Sequence, residues 1–521
     1  MPALKFVTSS IYLRQLQVLS LRQVGADVME DTMQAWATTH FGAAALGDAR
    51  LTARLVAVGK QLASHPNESF PSKFHDPADL EGFYRLMKHE RVTHASVLDP
   101  HRARTLERMR NTPGVVLNIH DTTVLDYSGL KSIEDLGQIG DGHGRGFYCH
   151  NCLAVVATTR EVLGLAGQVL HRRRKAPRGE KRAARQRNPQ RESRLWKKLS
   201  QSIPAAPANG PAGQLWVDVA DRGADITEFL DYEDEAGKHY VVRSQHNRWI
   251  EREIGGNLEK IKLHDLARSL PGVGRRMVEV QAKQGQTART AEVSVSWQAV
   301  TIVPPRQRRG EERGVRLSSW VVRVWEESPP AGVEALEWVL LTNVRVLTLC
   351  EAFERVDWYG LRWIIEEYHK AKKTGCDIEK MQFTYRERLE PAIAVLSVVA
   401  VMLLNLRDQS RAPDAKQRPA KRCVPEQWVY LLSKWRHGEA RMDWSVHDFY
   451  WALARLGGHQ NRKHAHPPGW LVLWRGWLYL QAMLDGATAA RDETCHETLA
   501  LTVAARTNCP VRSPVVRKSQ M

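Results

Sequence analysis

Three carboxylates and two cations are the residues whose types and spacing could do chemistry. Glu366 stands in WYGLRWIIEEYHKAKKTG, Trp358 to Gly375. Read as one helix, this stretch puts Tyr359, Arg362, Glu366 and Lys373 within an arc of about 60°. A carboxylate flanked on one ridge by an aromatic hydroxyl and two cations can hold a metal ion and a phosphate together. The alternative is a surface helix with ordinary i,i+3 and i,i+4 ion pairs. The opposite face carries Leu361, Ile364, Tyr368 and Ala371, an apolar stripe suited to a core. Asp121 sits inside the apolar run VVLNIHDTTVLDY. A carboxylate buried there unpaired is costly, so it should lie near the strand's open end or on a cation. Asp221 follows the strand LWVDVA at a strand-to-helix turn, where α/β folds place ligands. Asp218, inside that strand, suits a structural place better. Three hard oxygen ligands suit Mg²⁺, with Mn²⁺ as a substitute, rather than zinc. Two such ions about 4 Å apart activate a water or a 3′-hydroxyl against a phosphodiester. The chain has no convincing nucleophile elbow and no GxxxxGK[ST] loop, so ATP-driven chemistry is not indicated.

The composition narrows the partner. The 521 residues hold 75 Lys and Arg against 58 Asp and Glu, a net charge of +17, which suits a polyanion. Seven scattered cysteines make no disulfide framework and point to a reducing, cytoplasmic setting. The one CxxC, Cys149 to Cys152, lies in a strand-like run without a second ligand pair, which argues against a metal or redox role. No stretch reaches the roughly 20 apolar residues of a membrane span. The N-terminus, interrupted by Arg14, Gln15 and Gln17, makes a poor signal peptide, and Met29 and Met33 are candidate starts just before the first organised segment.

The elements that must position these residues follow in order. From about Asp31 to His101 the pattern is helical and basic, with Asp48 as N-cap of a helix bearing Arg50 and Arg54. Such a unit could sit on DNA phosphates or be a bundle with a solvated face. Strands are expected over Val115 to Tyr127, Phe147 to Thr158 and Glu161 to Leu170, the last two joined at Thr159-Arg160. Residues 171 to 198 hold 13 Lys or Arg against two Glu, a segment that beside a catalytic core would track a nucleic-acid backbone. A β-rich stretch runs from Tyr232 to Val344 and a buried helix from Ala392 to about 407. A Trp-rich helical tail carries Trp444, Trp451, Trp470, Trp474 and Trp477, read as core first and as a protein–protein face second.

These residues carry a resemblance. The unbroken pattern Tyr359-x2-Arg362-x3-Glu366-x6-Lys373 resembles the signature of bacterial DDE transposases of insertion sequence family four, the kanamycin-resistance composite transposon type. HFGAAALGDARLTARLV, IHDTT, VADRGADI, YVVRS, EWVLLT, ALARLGG and W-x3-W-x2-W extend the likeness over roughly residues 34 to 488. The basic block at 171 to 198 and both termini diverge. Leu51 departs from relatives that carry a second Arg there.

The resemblance implies an α/β fold with an RNase H-like catalytic core, a mixed sheet with flanking helices, at 106–410. An all-β insertion at about 232–344 would interrupt it. A helical DNA-binding domain is expected at 34–105, a helical dimerisation domain at 411–490 and a disordered tail at 491–521, with 1–33 outside the domains. Asp121, Asp221 and Glu366 would be the catalytic, Mg²⁺-binding triad. Tyr359, Arg362 and Lys373 would clasp a phosphate beside the cleaved end, and Trp338 would stack on a flipped base. Arg243, Arg50 and Arg54 match DNA contacts. The implied activity is cut-and-paste transposition: strand hydrolysis, hairpin formation and strand transfer. The implied partners are double-stranded DNA, both inverted repeats and target, and a second copy of the chain, at the bacterial nucleoid. A catalytically inactive inhibitor or domesticated repressor is the alternative from another class, and a plain metal-dependent nuclease is a third.

Overall fold

The computed structural model describes residues 33–487, apart from 66–68, 75, 134, 176, 178, 182–183, 185–187, 189, 281–288, 306–314, 412–413, 461–466, 470 and 485. The expectations for 1–32, 491–521 and Trp470 lie outside the described residues. The described residues form two compact units: 33–415 with 469–471, and 416–468 with 472–487.

The larger unit is built on one mixed sheet of twelve strands: β1 Val115–Asp126, β2 Gly137–Ile139, β3 Gly144–Val156, β4 Val162–His171, β5 Leu215–Ala220, β6 His239–Arg243, β7 Trp249–Ile254, β8 Asn257–Lys262, β9 Gly274–Val280, β10 Arg289–Ile302, β11 Leu317–Glu326 and β12 Glu337–Thr342. The path runs β2-β3-β1-β5-β6-β12-β11-β10-β7-β8, with β4 on β3 and β9 on β10. β1, β5 and β6 are parallel neighbours, while β3 and β4 run antiparallel. Parallel strands need crossovers, and helix α1, Thr227–Glu235, carries the chain from β5 to β6. The β-rich segment expected to interrupt the core is hydrogen-bonded into the same sheet, because β12 pairs with β6 as well as with β11.

Helix Ala49–Ser64 starts where the sequence reading places it, with the Asp48 side chain accepting from Arg50 N–H at 2.8 Å. The capped helix His94–Asn111 runs through residue 105, where the expected boundary of the N-terminal domain lies. Helix Arg386–Arg411 is apolar around Ala392–Leu404 and buried there, packing against both of these helices and against Pro77–Lys88. The N-terminal helices therefore belong to the same compact unit as the sheet. Among the described residues no helix is long and apolar enough to cross a membrane.

Side chains on β3 alternate between faces, and this separates the CxxC pair. Cys149 faces Lys372, at 3.2 Å, whereas Cys152 joins the cluster holding Val116, Leu199 and Trp216. All described cysteines are free.

The face of β5 that carries Asp218 is closed by a buried polar knot. Asp218 accepts from Asn118 Nδ2 at 2.8 Å and Ser200 Oγ at 2.9 Å, with Lys238 Nζ 3.4 Å away. Burial alone would raise its carboxyl, but Lys238, His120 and the Asn118 amide hold it well below the usual carboxylate range. Burial and the charge of Asp218 push neighbouring Glu233 well up. Asp218 is thus structural, as its place inside the strand suggests. Replacing Lys238 by Met strands that buried charge and should cost about 3–5 kcal/mol in denaturant unfolding. A loss within 1 kcal/mol, on the order of the worth of a surface pair, would show the knot to be screened.

The smaller unit has Ser445 and Asp448 as the capping box of helix Val446–Leu456. Gly457 and Gly476 let this helix and residues 472–484 cross closely: a Cβ on Gly476 would lie 1.8 Å from the Leu453 carbonyl oxygen. Trp444, Trp474 and Trp477 are buried, Trp477 edge-on to Trp428 at 4.3 Å. The tryptophans described there as buried serve this unit's own core.

Candidate active site

β1 and β5 set the two aspartates side by side. His120 pairs in register with Ala220, so Asp121 and Asp221 come next on adjacent strands. Asp121 Oδ1 accepts from Thr122 N–H at 2.9 Å, and Asp221 Oδ1 accepts from Gly223 N–H at 2.9 Å as it caps the turn after β5. Glu366 arrives on helix α2, Trp363–Lys370.

The stretch that reads as a single helix is broken twice. Helix Leu349–Gly360 ends before α2, and the bonds Arg362 N→Tyr359 O, Ile364 N→Leu361 O and Ile365 N→Arg362 O are the tighter i→i−3 kind. Past α2, Ala371–Gly375 widens into a π turn. The expected 60° arc is therefore not kept. Tyr359 and Arg362 stay with Glu366, but Lys373 pairs with Glu379 at 3.0 Å. The apolar face holds as expected, with Leu361, Ile364, Tyr368 and Ala371 all buried.

Arg362 is the hub. Its Nη2 donates to Glu366 Oε1 at 2.6 Å and its Nη1 lies 3.5 Å from Asp121 Oδ2. Burial first, and then repulsion from Asp221 and Glu366, push the Asp121 carboxyl up to about 7 despite that guanidinium. Tyr359, itself raised by burial, lies beside Arg243, which donates to the Glu337 carbonyl oxygen at 2.9 Å. Trp338, half-buried on β12, meets the Tyr359 ring edge-on at 5.1 Å. Asp121, Asp221, Glu366, Tyr359, Arg362, Arg243 and Trp338 are thus brought together. Arg50 and Arg54 both lie on helix Ala49–Ser64. Arg50 is exposed beside Asp48, and Arg54 is paired with Asp79 at 3.1 Å.

Among the described residues, no three His, Cys, Asp or Glu side chains stand close enough to hold a metal ion between them. Asp221 and Glu366 both repel Asp121, and Arg362 reaches Asp121 and Glu366, so the three carboxylates do not form a closed ligand set. Its chemistry nevertheless fits a hard divalent cation: the donors are all carboxylate oxygens, and burial beside two other carboxylates raises Asp121 even with Arg362 next to it.

Sequence reasoning missed a second layer. His369 Nδ1 lies 3.8 Å from Asp121 Oδ2, and its Nε2 is 3.0 Å from Asn151 Nδ2. Asn151 Oδ1 accepts from Lys372 Nζ at 3.1 Å and Gln168 Nε2 at 2.6 Å, so the Asn amide nitrogen must face His369. An amide nitrogen only donates, so His369 Nε2 accepts and its proton sits on Nδ1, aimed at Asp121. Burial, with Lys372 beside it, holds His369 well below the usual histidine range and so neutral. His369 lies three residues after Glu366 on one helix face, a signal that was readable; Asn151 had none.

Residues 33–92 match the transposase DNA-binding family. The chain therefore carries a transposase-type DNA-binding segment, and DNA is its partner.

Proposed function

We propose that this chain is a DDE transposase of the insertion sequence family four type, moving an element by strand hydrolysis at its ends, hairpin formation and transfer to target DNA. The observation that carries the reading is Asp121 beside the end of β5, where Asp221 follows, with Arg362 reaching both Asp121 and Glu366, in the same compact unit as residues 33–92. An RNase H-like core is part of the proposal. Its support is the run β4-β3-β1-β5-β6, three antiparallel strands followed by two parallel ones, with both aspartates at the centre.

Mg²⁺ would be held by Asp121, Asp221 and Glu366, and when bound supplies activation of the attacking hydroxyl and charge for the leaving oxygen. Arg362 and Tyr359 grip the phosphate beside the cleaved bond, and Arg243 orients the Tyr359 hydroxyl. His369 presents its Nδ1 proton toward Asp121 from 3.8 Å. Trp338 offers an aromatic edge and face beside Tyr359 for an unstacked base. The smaller unit would serve pairing of two copies.

A DNA-binding repressor without cleavage is the second reading, favoured by one observation: the ion pairs of Arg362 already satisfy Glu366 and approach Asp121. The two part on one assay. The protein is mixed with DNA carrying the inverted repeats that flank its reading frame, with Mg²⁺ or EDTA. The transposase reading expects Mg²⁺-dependent cleavage with hairpin ends; tight binding with intact DNA under both conditions would establish the repressor instead.

A further inference from the structure

A cleft of about 1090 Å³ opens between the β2–β3 turn, the end of β4 and helix Leu195–Ser202. Nine Lys or Arg line it, against the acids Asp135 and Glu228. Its size is at the upper end of small-molecule pockets, yet its walls are cationic where such pockets are apolar. That combination selects an extended polyanion.

Some of these cations are structural. Arg173 lies 4.5 Å over the Tyr148 ring and pairs with Glu192, and Arg191 pairs with Glu228 at 2.6 Å. Gly137 allows the basic run to lie against β2, since a Cβ there would be 2.7 Å from Arg173 N. Lys175, Arg194 and Lys198 differ: among the described residues they have no acidic partner. Three cations left unneutralised on a built wall keep their full charge for a ligand. The cleft is also tied to the carboxylate site. Trp196, on the same helix, packs so tightly on Gly223 that an added Cβ would be 2.6 Å away, and Gly223 N–H bonds Asp221.

We propose that this cleft seats the phosphate backbone of a DNA segment beyond the phosphate gripped by Arg362, bound without regard to sequence. The inference rests on DNA being the partner and not on cleavage. Its test is therefore binding in EDTA, which leaves the cleavage reading untouched.

The affinity of the full chain for a random-sequence duplex is measured against salt, for the wild type and for Lys175→Gln/Arg194→Gln/Lys198→Gln. Releasing about 0.9 counterion per phosphate contact, the triple variant should lower the log–log salt slope by about 2.7. The charge-retaining triple Lys175→Arg/Arg194→Lys/Lys198→Arg should keep the slope. In parallel, the duplex should protect Lys175 and Lys198 from acetylation, read by mass spectrometry. An unchanged slope in the Gln triple, equal loss in both triples, or unprotected lysines would each overturn the proposal. Equal protection by pyrophosphate at matched charge would overturn it in favour of a small-anion site.

Discussion

Glu366→Gln should remove Mg²⁺-dependent cleavage, by at least about a hundredfold, while end binding stays equal or tightens. The size follows from position: loss of groups that merely support a metal ligand costs about 10–100-fold, and Glu366 is placed as a ligand itself. Gln preserves the shape of the side chain, so helix Trp363–Lys370 and its buried residues Ile364, Ile365 and Tyr368 are undisturbed. The Arg362 bond at 2.6 Å loses its charge assistance, and the guanidinium shifts toward Asp121, now 3.5 Å away. One fewer negative charge faces the DNA, which is why binding does not weaken. Cleavage and binding measured on the same end substrate separate the two effects. Undiminished Mg²⁺-dependent cleavage would sink the assignment of Glu366.

Trp338→Ala should slow hairpin formation about 5- to 150-fold, the worth of 1–3 kcal/mol of base stacking, and leave the first nick nearly intact. Trp338 is half-buried and touches Tyr359 with its ring edge-on at 5.1 Å. That geometry also allows a mere packing role, which predicts a different result: equal loss in both steps through a displaced Tyr359. Trp338→Phe keeps a stacking surface and should restore most of the hairpin rate. Single-turnover assays that resolve nick and hairpin products make the distinction.

Several features were legible because local chemistry decides them. The Asp48 cap needs only a short acceptor beside free N–H groups, and its 2.8 Å bond forms within three residues. The apolar runs of β1 and β5 are strands because β-branched residues bury well on a pleated surface. Asp221 at the end of β5 and Asp218 within it took different roles for the reason expected: one ends a strand and the other is walled in by Asn118, Ser200 and Lys238.

Other features had no local cause. The helix of the signature was drawn as continuous, and three i→i−3 bonds with a π turn re-aimed it, sending Lys373 to Glu379 and Lys372 into the core. Hydrophobic periodicity cannot reveal such a break when every apolar residue stays buried on both sides of it. Asn151 reaches His369 because β1 pairs with β3 so that Asp121 faces Asn151, a register set by the whole sheet.

By itself, then, the sequence supplied the proposed reactive groups: three carboxylates, the tyrosine and arginine that accompany Glu366, and the positive charge that suits DNA. Those are properties of residue type and short spacing. Only the tertiary structure decided that Arg362 reaches Asp121 and Glu366 while Lys373 pairs with Glu379. It alone showed that His369, turned by Asn151, stands beside Asp121 and that, among the described residues of the basic segment, Lys175, Arg194 and Lys198 have no acidic partner. The physical reason is the same in each case. Contacts between residues far apart in the chain depend on strand register and helix breaks, which are settled by burial of the whole core.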